Sequence, residues 1–376
     1  MRRQIRTAFL ALLVLAPAAL PHRASAWARG RAAGFATLPE GASGPEGLEV
    51  DAAGNAYVAT FGFTASGPIA GAGQLFVFDP KGSLLRQVSV AGSSPHLLGL
   101  RFHPRSGALL VIDFGGAQVL DVNPVTGASK VFMTLPALPH PSLGAGLNDL
   151  TFDAAGNVYV SDSFQGVVWR TGASGGVAAA WVDDPLLRTD GVPPFGANGL
   201  RFDGAETALF VANTGNDTIV RIPVVGGAPG ASGAAGTPAV FVNGINGADG
   251  LLIDEHDNLW VAANQADEVV VVDPTGRAIA KLGDFGGVEE GRPVQMLFPA
   301  SLRFHGKHLL VTNLALDLRL FNPSYAAVDS AWCAQVSRYT VVRVRACIPG
   351  LAGAANGIEG CERGAGPHGP DDDGDY

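Results

Sequence analysis

The feature that most constrains this chain is an internal repeat. Six segments align on one another: "EGLEVDAAGNAYVAT" from Glu46, "LGLRFHPRSGALLVID" from Leu98, "NDLTFDAAGNVYVSD" from Asn148, "NGLRFDGAETALFVAN" from Asn198, "DGLLIDEHDNLWVAA" from Asp249 and "ASLRFHGKHLLVTN" from Ala300. Their first residues are 52, 50, 50, 51 and 51 positions apart. A period held that closely marks similar structural units stacked in a closed or linear array.

Each copy reads as strand, tight turn, strand. In the third copy "LTF" runs into Asp153, whose carboxylate suits the turn amides, while Gly156 supplies positive φ before "VYV" returns. Two further strands follow in most copies, as in "GQLFVFDP" and "SLLRQVSV". With 51 glycines and only 16% charged residues, the composition suits short strands and turns. Four strands per copy is the pattern of a propeller blade, so the expectation is an all-β fold, a six-bladed β-propeller. Residues 34–38 resemble the end of a blade and are expected as an outer N-terminal strand that closes the last one. Blade six carries an irregular insert at 314–335, and a linear solenoid is the alternative architecture.

In a closed ring, a slot shared by all blades surrounds the axis. Glu46, Leu98, Asn148, Asn198, Asp249 and Ala300 should therefore meet at one mouth of the channel. Four of them carry side-chain oxygen, two as carboxylates and two as amides. That set suits a hard divalent cation, with Ca²⁺ first and Mn²⁺ and Mg²⁺ as alternatives; the ring's lack of His and Cys argues against Zn²⁺, which is kept as a further candidate. The competing explanation is that Asn and Asp cap strand ends. Leu98 and Ala300 fill the same slot without capping anything, so backbone need does not account for Glu46. Asp51, Asp153, Asp203 and Asp254, at the turn, read as structural, because His103 and His305 take that slot too. A third ring at the end of the second strand, with Asp113, Asp162, Asn213 and Asn313, is expected either to support the first ring as a polar second shell or to satisfy strand-end amides. His96, in "SSPHLLGL", and Asp149, beside Asn148, are candidate substrate contacts, with a backbone-bonding loop role as the alternative for His96.

The termini and charge narrow the class. "MRRQIR" followed by "TAFLALLVLAPAAL" and "ASA" reads as a cleaved signal peptide, residues 1–26, implying export to the periplasm or beyond. The 14-residue apolar run is too short to span a bilayer, and the mature chain is expected to have no membrane span. Propeller is expected over 27–350 and a disordered acidic tail over 351–376. A net charge of -9 argues against nucleic acid as a partner. Cys333, Cys347 and Cys361 allow one disulfide and one thiol, with the pairing open. "GASGG" at 172–176 matches a nucleophile-elbow pattern but sits in a hairpin, where that motif does not function.

The motifs "PEGLEVD", "LNDLTFD", "ANGLRFD" and "ADGLLID" resemble those of the senescence marker protein (regucalcin) and gluconolactonase family of six-bladed propellers, with paraoxonase more distant. The resemblance covers about residues 34 to 347. It implies a metal held by Glu46, Asn148, Asn198 and Asp249, hydrolysis of a small-molecule lactone or ester whose carbonyl the metal polarises, and Asp249 as catalytic base. It also makes His96 a rival base, although the paraoxonase histidine would fall on the ring, at Leu98. The alternative is a non-catalytic propeller resembling the NHL repeat, which binds a protein or small-molecule partner.

Overall fold

The computed structural model describes residues 30–226, 233–325 and 330–346. The expected signal peptide and acidic tail, and Cys347 and Cys361, lie outside the described residues.

The first five repeats each carry four antiparallel blade strands, and the sixth supplies three. The first runs Pro45–Val50, Ala56–Thr60, Gln74–Phe78 and Leu84–Ser89, and the fifth Ala248–Ile253, Leu259–Ala263, Glu268–Val272 and Ala278–Leu282. Six such blades can be followed among the described residues. In the last, Pro299–His305, His308–Asn313 and Thr340–Arg345 are joined at the outer edge by Ala33–Thr37, the strand expected to close the ring. The inner strand of every blade packs on that of the next, and Pro299–His305 packs back on Pro45–Val50. The chain is a β-propeller.

The turns work as their sequence requires. Asp51 Oδ1 accepts from the Ala53 and Asn55 amides, each at 2.9 Å, and Gly54 has φ +84°. Where histidine replaces this aspartate, it reaches across the blade boundary. His103 Nε2 meets the Gly156 carbonyl and His305 Nε2 the Gly54 carbonyl, both at 2.9 Å. The core lies between blades: Tyr57 and Val77 face Leu100 and Val111, and Trp260 and Val269 face Leu302 and Val311. Each fully buried leucine there contributes roughly 2 kcal/mol.

One irregularity recurs where it matters for the site. All six inner strands break register near their start, at Pro45/Leu48, Leu97/Leu100, Leu147/Leu150, Ala197/Leu200, Ala248/Leu251 and Pro299/Leu302. The first-ring residue lies inside each break. A bulge turns a side chain out of the sheet's alternation, and the strand then resumes with a fully buried leucine in every blade.

Candidate functional site

Repetition of the bulge gathers distant residues. Glu46, Asn148, Asn198 and Asp249 line one axial cavity together with Asn264 and the apolar side chains of Phe61, Leu98, Phe195, Phe298, Leu314 and Leu316. The cavity measures about 20 Å³, room for one water-sized guest. All four polar ring residues are buried, at 4–5% exposure. Among the described residues no three of His, Cys, Asp and Glu cluster as metal ligands, so any cation here would depend on the amides as well as the two acids.

Each of three ring residues is oriented by its own blade. Asn148 Nδ2 donates to Ser163 Oγ at 3.3 Å, Asn198 Nδ2 to Thr214 Oγ1 at 3.0 Å, and Asn264 Nδ2 donates to Asp249 Oδ2 at 2.9 Å. With the Asn148 nitrogen committed in this way, its Oδ1 is buried with no hydrogen-bond partner, as is Glu46 Oε2. Buried oxygens left unpaired are costly. They are what a cation site requires, and the residues present fit a hard divalent ion bound through oxygen.

The electrostatics point the same way. Burial drives the Glu46 carboxyl well above its ordinary range, the charges of Asp249 and Asp149 push it further, and Arg303 opposes them. Burial also pushes Asp249 up to about 7, with Asp149 adding to the rise and the amides of Asn264 and Asn198 holding it back. Two acids that resist ionising together would both ionise beside a divalent cation.

Several expected residues turn out to do other work. The second-shell set does not hold the ring: Asp113, Asp162, Asn213 and Asn313 anchor loops instead. Asp162 accepts from the amides of Gly146, Phe164 and Gln165 and from Trp169 Nε1. Asp113 takes Ser94 and Gly116, Asn213 donates to the Leu186 and Arg188 carbonyls, and Asn313 to that of Gln295. The orienting residues stand one position further on, at Ser163, Thr214 and Asn264. The same slot holds Phe61, Phe114 and Leu314 in the other three blades. His96 donates from Nδ1 to the Phe61 carbonyl at 2.6 Å and stacks on Phe63, with centroids 5.0 Å apart; it braces a wall of the cavity. Asp149 turns down the channel and accepts from Arg201 Nη1 at 2.8 Å. Burial alone would raise its pKa, yet Arg201, Arg303 and Arg101 hold it below the usual carboxylate range. Below the ring, Glu49 lies between Arg101 (3.5 Å) and Arg303 (3.3 Å). Sequence reasoning missed this layer, although it stands three residues past the ring in "EGLE", "LGLR", "NGLR" and "ASLR".

Fold and cavity together define a β-propeller with buried oxygen donors converging on its axis. The chain belongs to the SMP-30/Gluconolactonase/LRE-like family, whose characteristic region matches residues 93–283, just over half of the sequence. A lactonase named drp35 from Staphylococcus haemolyticus is 27% identical over 171 residues, covering 44% of this chain. That match spans half the length of the relative. Among solved structures, a calcium-binding protein, regucalcin, from Agrobacterium tumefaciens superposes with a TM-score of 0.57 at 17% identity, covering 84% of this chain and 94% of its own. A gluconolactonase from Xanthomonas campestris gives 0.53 at 15% identity, covering 74% and 85%. At these identities the two structures bear on the fold.

Proposed function

We propose that the protein hydrolyses a small-molecule lactone or related ester at a divalent-cation site, most readily Ca²⁺, held by Glu46, Asn148, Asn198 and Asp249. The observation that carries this reading is the pair of partnerless buried oxygens, Glu46 Oε2 and Asn148 Oδ1, in the same cavity as Asp249. Family membership and the similarity to a lactonase support the reaction class.

A bound cation would supply Lewis-acid polarisation of the substrate carbonyl. The chain's own residues supply position and a proton acceptor. Asn264 fixes one oxygen of Asp249, which would leave the other to take a proton from attacking water, with a basicity that contact with the cation would lower from that of the metal-free carboxyl. The phenyl and leucyl walls keep bulk water away from the acids, which strengthens every charge interaction inside. Export, as the N-terminal sequence suggests, would place this activity outside the cytoplasm.

The test is calorimetric titration of chelator-treated protein with Ca²⁺, Mn²⁺, Mg²⁺ and Zn²⁺, followed by lactone turnover. Binding of one equivalent is expected, with Asp249→Ala losing turnover while remaining folded. If none of the four ions binds, the hydrolase reading gives way to a non-catalytic propeller that binds a partner.

A further inference from the structure

The cavity has a wall as well as a floor. Its polar atoms belong to the ring and to Asn264: the nitrogens of Asn148, Asn198 and Asn264 are held by neighbours, while Glu46 Oε2, Asn148 Oδ1 and Asn264 Oδ1 are buried without a hydrogen-bond partner. The rest of its lining is hydrocarbon: Phe61, Leu98, Phe195, Phe298, Leu314 and Leu316, all at most 8% exposed. Leu314 and Leu316 begin the insert between the second and third strands of the last blade, and Phe321 continues it outward. Phe321 packs on Phe63 at 5.0 Å and on Phe195 at 5.9 Å between centroids, and is itself 39% exposed. The cover is therefore apolar from the ring to the surface.

A lactone does not fit in about 20 Å³, so a substrate must take space now filled by these side chains. We propose that the substrate is an apolar lactone or ester, with its hydrocarbon body packed against Phe195, Leu314, Leu316 and Phe321. This rests on the hydrolase reading above. A polyhydroxylated ring would bury hydroxyl groups against phenyl and leucyl surface that offers no partner, and unpaired buried hydroxyls are strongly disfavoured. Alkyl or aryl substituents gain from the same surface. The recess of about 510 Å³ that holds Arg188, Thr189 and Asn216 also touches Phe164. Phe164 stacks on Phe195 at 6.0 Å, so these rings stand between the recess's polar groups and the axis.

The experiment compares δ-decanolactone with δ-gluconolactone on calcium-loaded full-length protein. Both are six-membered lactones; one carries a pentyl chain and the other hydroxyl groups. We expect kcat/KM for δ-decanolactone to be higher by at least about 10-fold. That ratio should fall in Leu316→Ser and in Phe321→Ser, with calcium affinity unchanged. Phe321 is partly exposed, so its variant keeps the test open if Leu316→Ser does not fold, and the calcium isotherm reports folding for both. Equal or better turnover of δ-gluconolactone overturns the inference and leaves the hydrolase reading standing. An unchanged ratio in a folded variant also overturns it. Turnover of neither lactone with calcium bound ends both.

Discussion

At the scale of single residues, the site is a problem of buried charge. With no cation on the axis, Asp249 titrates near 7, against about 3.9 in an unfolded chain. Between those values the folded state binds more protons than the unfolded state, so this group lowers stability as pH rises from about 4 to about 7. Glu46 shifts in the same direction. A divalent cation replaces the held proton, so calcium should stabilise strongly at pH 8 and little at pH 5. Thermal melts of chelator-treated protein at the two pH values, with and without Ca²⁺, check this, and Asp249→Asn isolates the group. A calcium-induced shift as large at pH 5 as at pH 8 would contradict the assignment. The four ring residues were legible in the sequence because a repeat turns alignment into proximity. Their orienting partners were not: at a strand end that meets a turn, nothing in the letters says whether Asp162 or Ser163 faces the axis. Here the strand-end residue takes the loop amides and the next one takes the ring.

At the scale of elements, the bulge and the loop before it aim the ring residues. Gly247 lies two residues ahead of Asp249, with φ +69°, and a Cβ built there would fall 1.9 Å from Asn264 Oδ1. A side chain at 247 must therefore displace the amide that fixes Asp249. Gly244 shares the same loop and a positive φ of +90° but has open space where its Cβ would be. Both alanine variants incur a similar backbone penalty, about 1–2 kcal/mol, and only Gly247→Ala disturbs the site. Calcium affinity is expected to fall on the order of 10- to 100-fold in Gly247→Ala and to stay near wild type in Gly244→Ala. Titration of the two proteins side by side decides it, and equal affinities would remove the orienting role of Asn264. The bulge itself was not legible, since "NDLTF" and "NGLRF" read equally well as unbroken strands; its signature is a break in pairing, which only the partner strand reveals. The cover was hidden for a related reason: Phe61, Phe195, Phe298 and Leu316 come from separate loops with no shared motif.

At the scale of the whole molecule, the site exists only while the ring is shut, because Glu46 belongs to the first blade and Asp249 to the fifth. Closure between last and first blades has identifiable parts. Thr312 Oγ1 donates to the Glu46 carbonyl at 3.1 Å, Arg303 meets Glu49, and His305 meets Gly54. The strand Ala33–Thr37 completes the last sheet, pairing Gly34 with Val342 and Thr37 with Thr340, and Leu38 N–H continues the contact to the Tyr339 carbonyl at 2.9 Å. A chain beginning after Leu38 would leave the edge of Thr340–Arg345 bare and uncover the contacts that Ala32, Ala36 and Leu38 make in the core. Losing several net hydrogen bonds of about 1 kcal/mol each, together with that burial, should lower the melting temperature on the order of 10 °C. The bare edge is also a template for a second chain. Size-exclusion chromatography should then show larger species, and calcium binding should weaken along with stability, because the first and last blades share the wall beside Glu46. A truncated protein that stays monomeric, melts like the full chain and binds calcium equally well would mean that the inner-strand contacts alone close the ring, with the outer strand contributing nothing to the geometry on the axis.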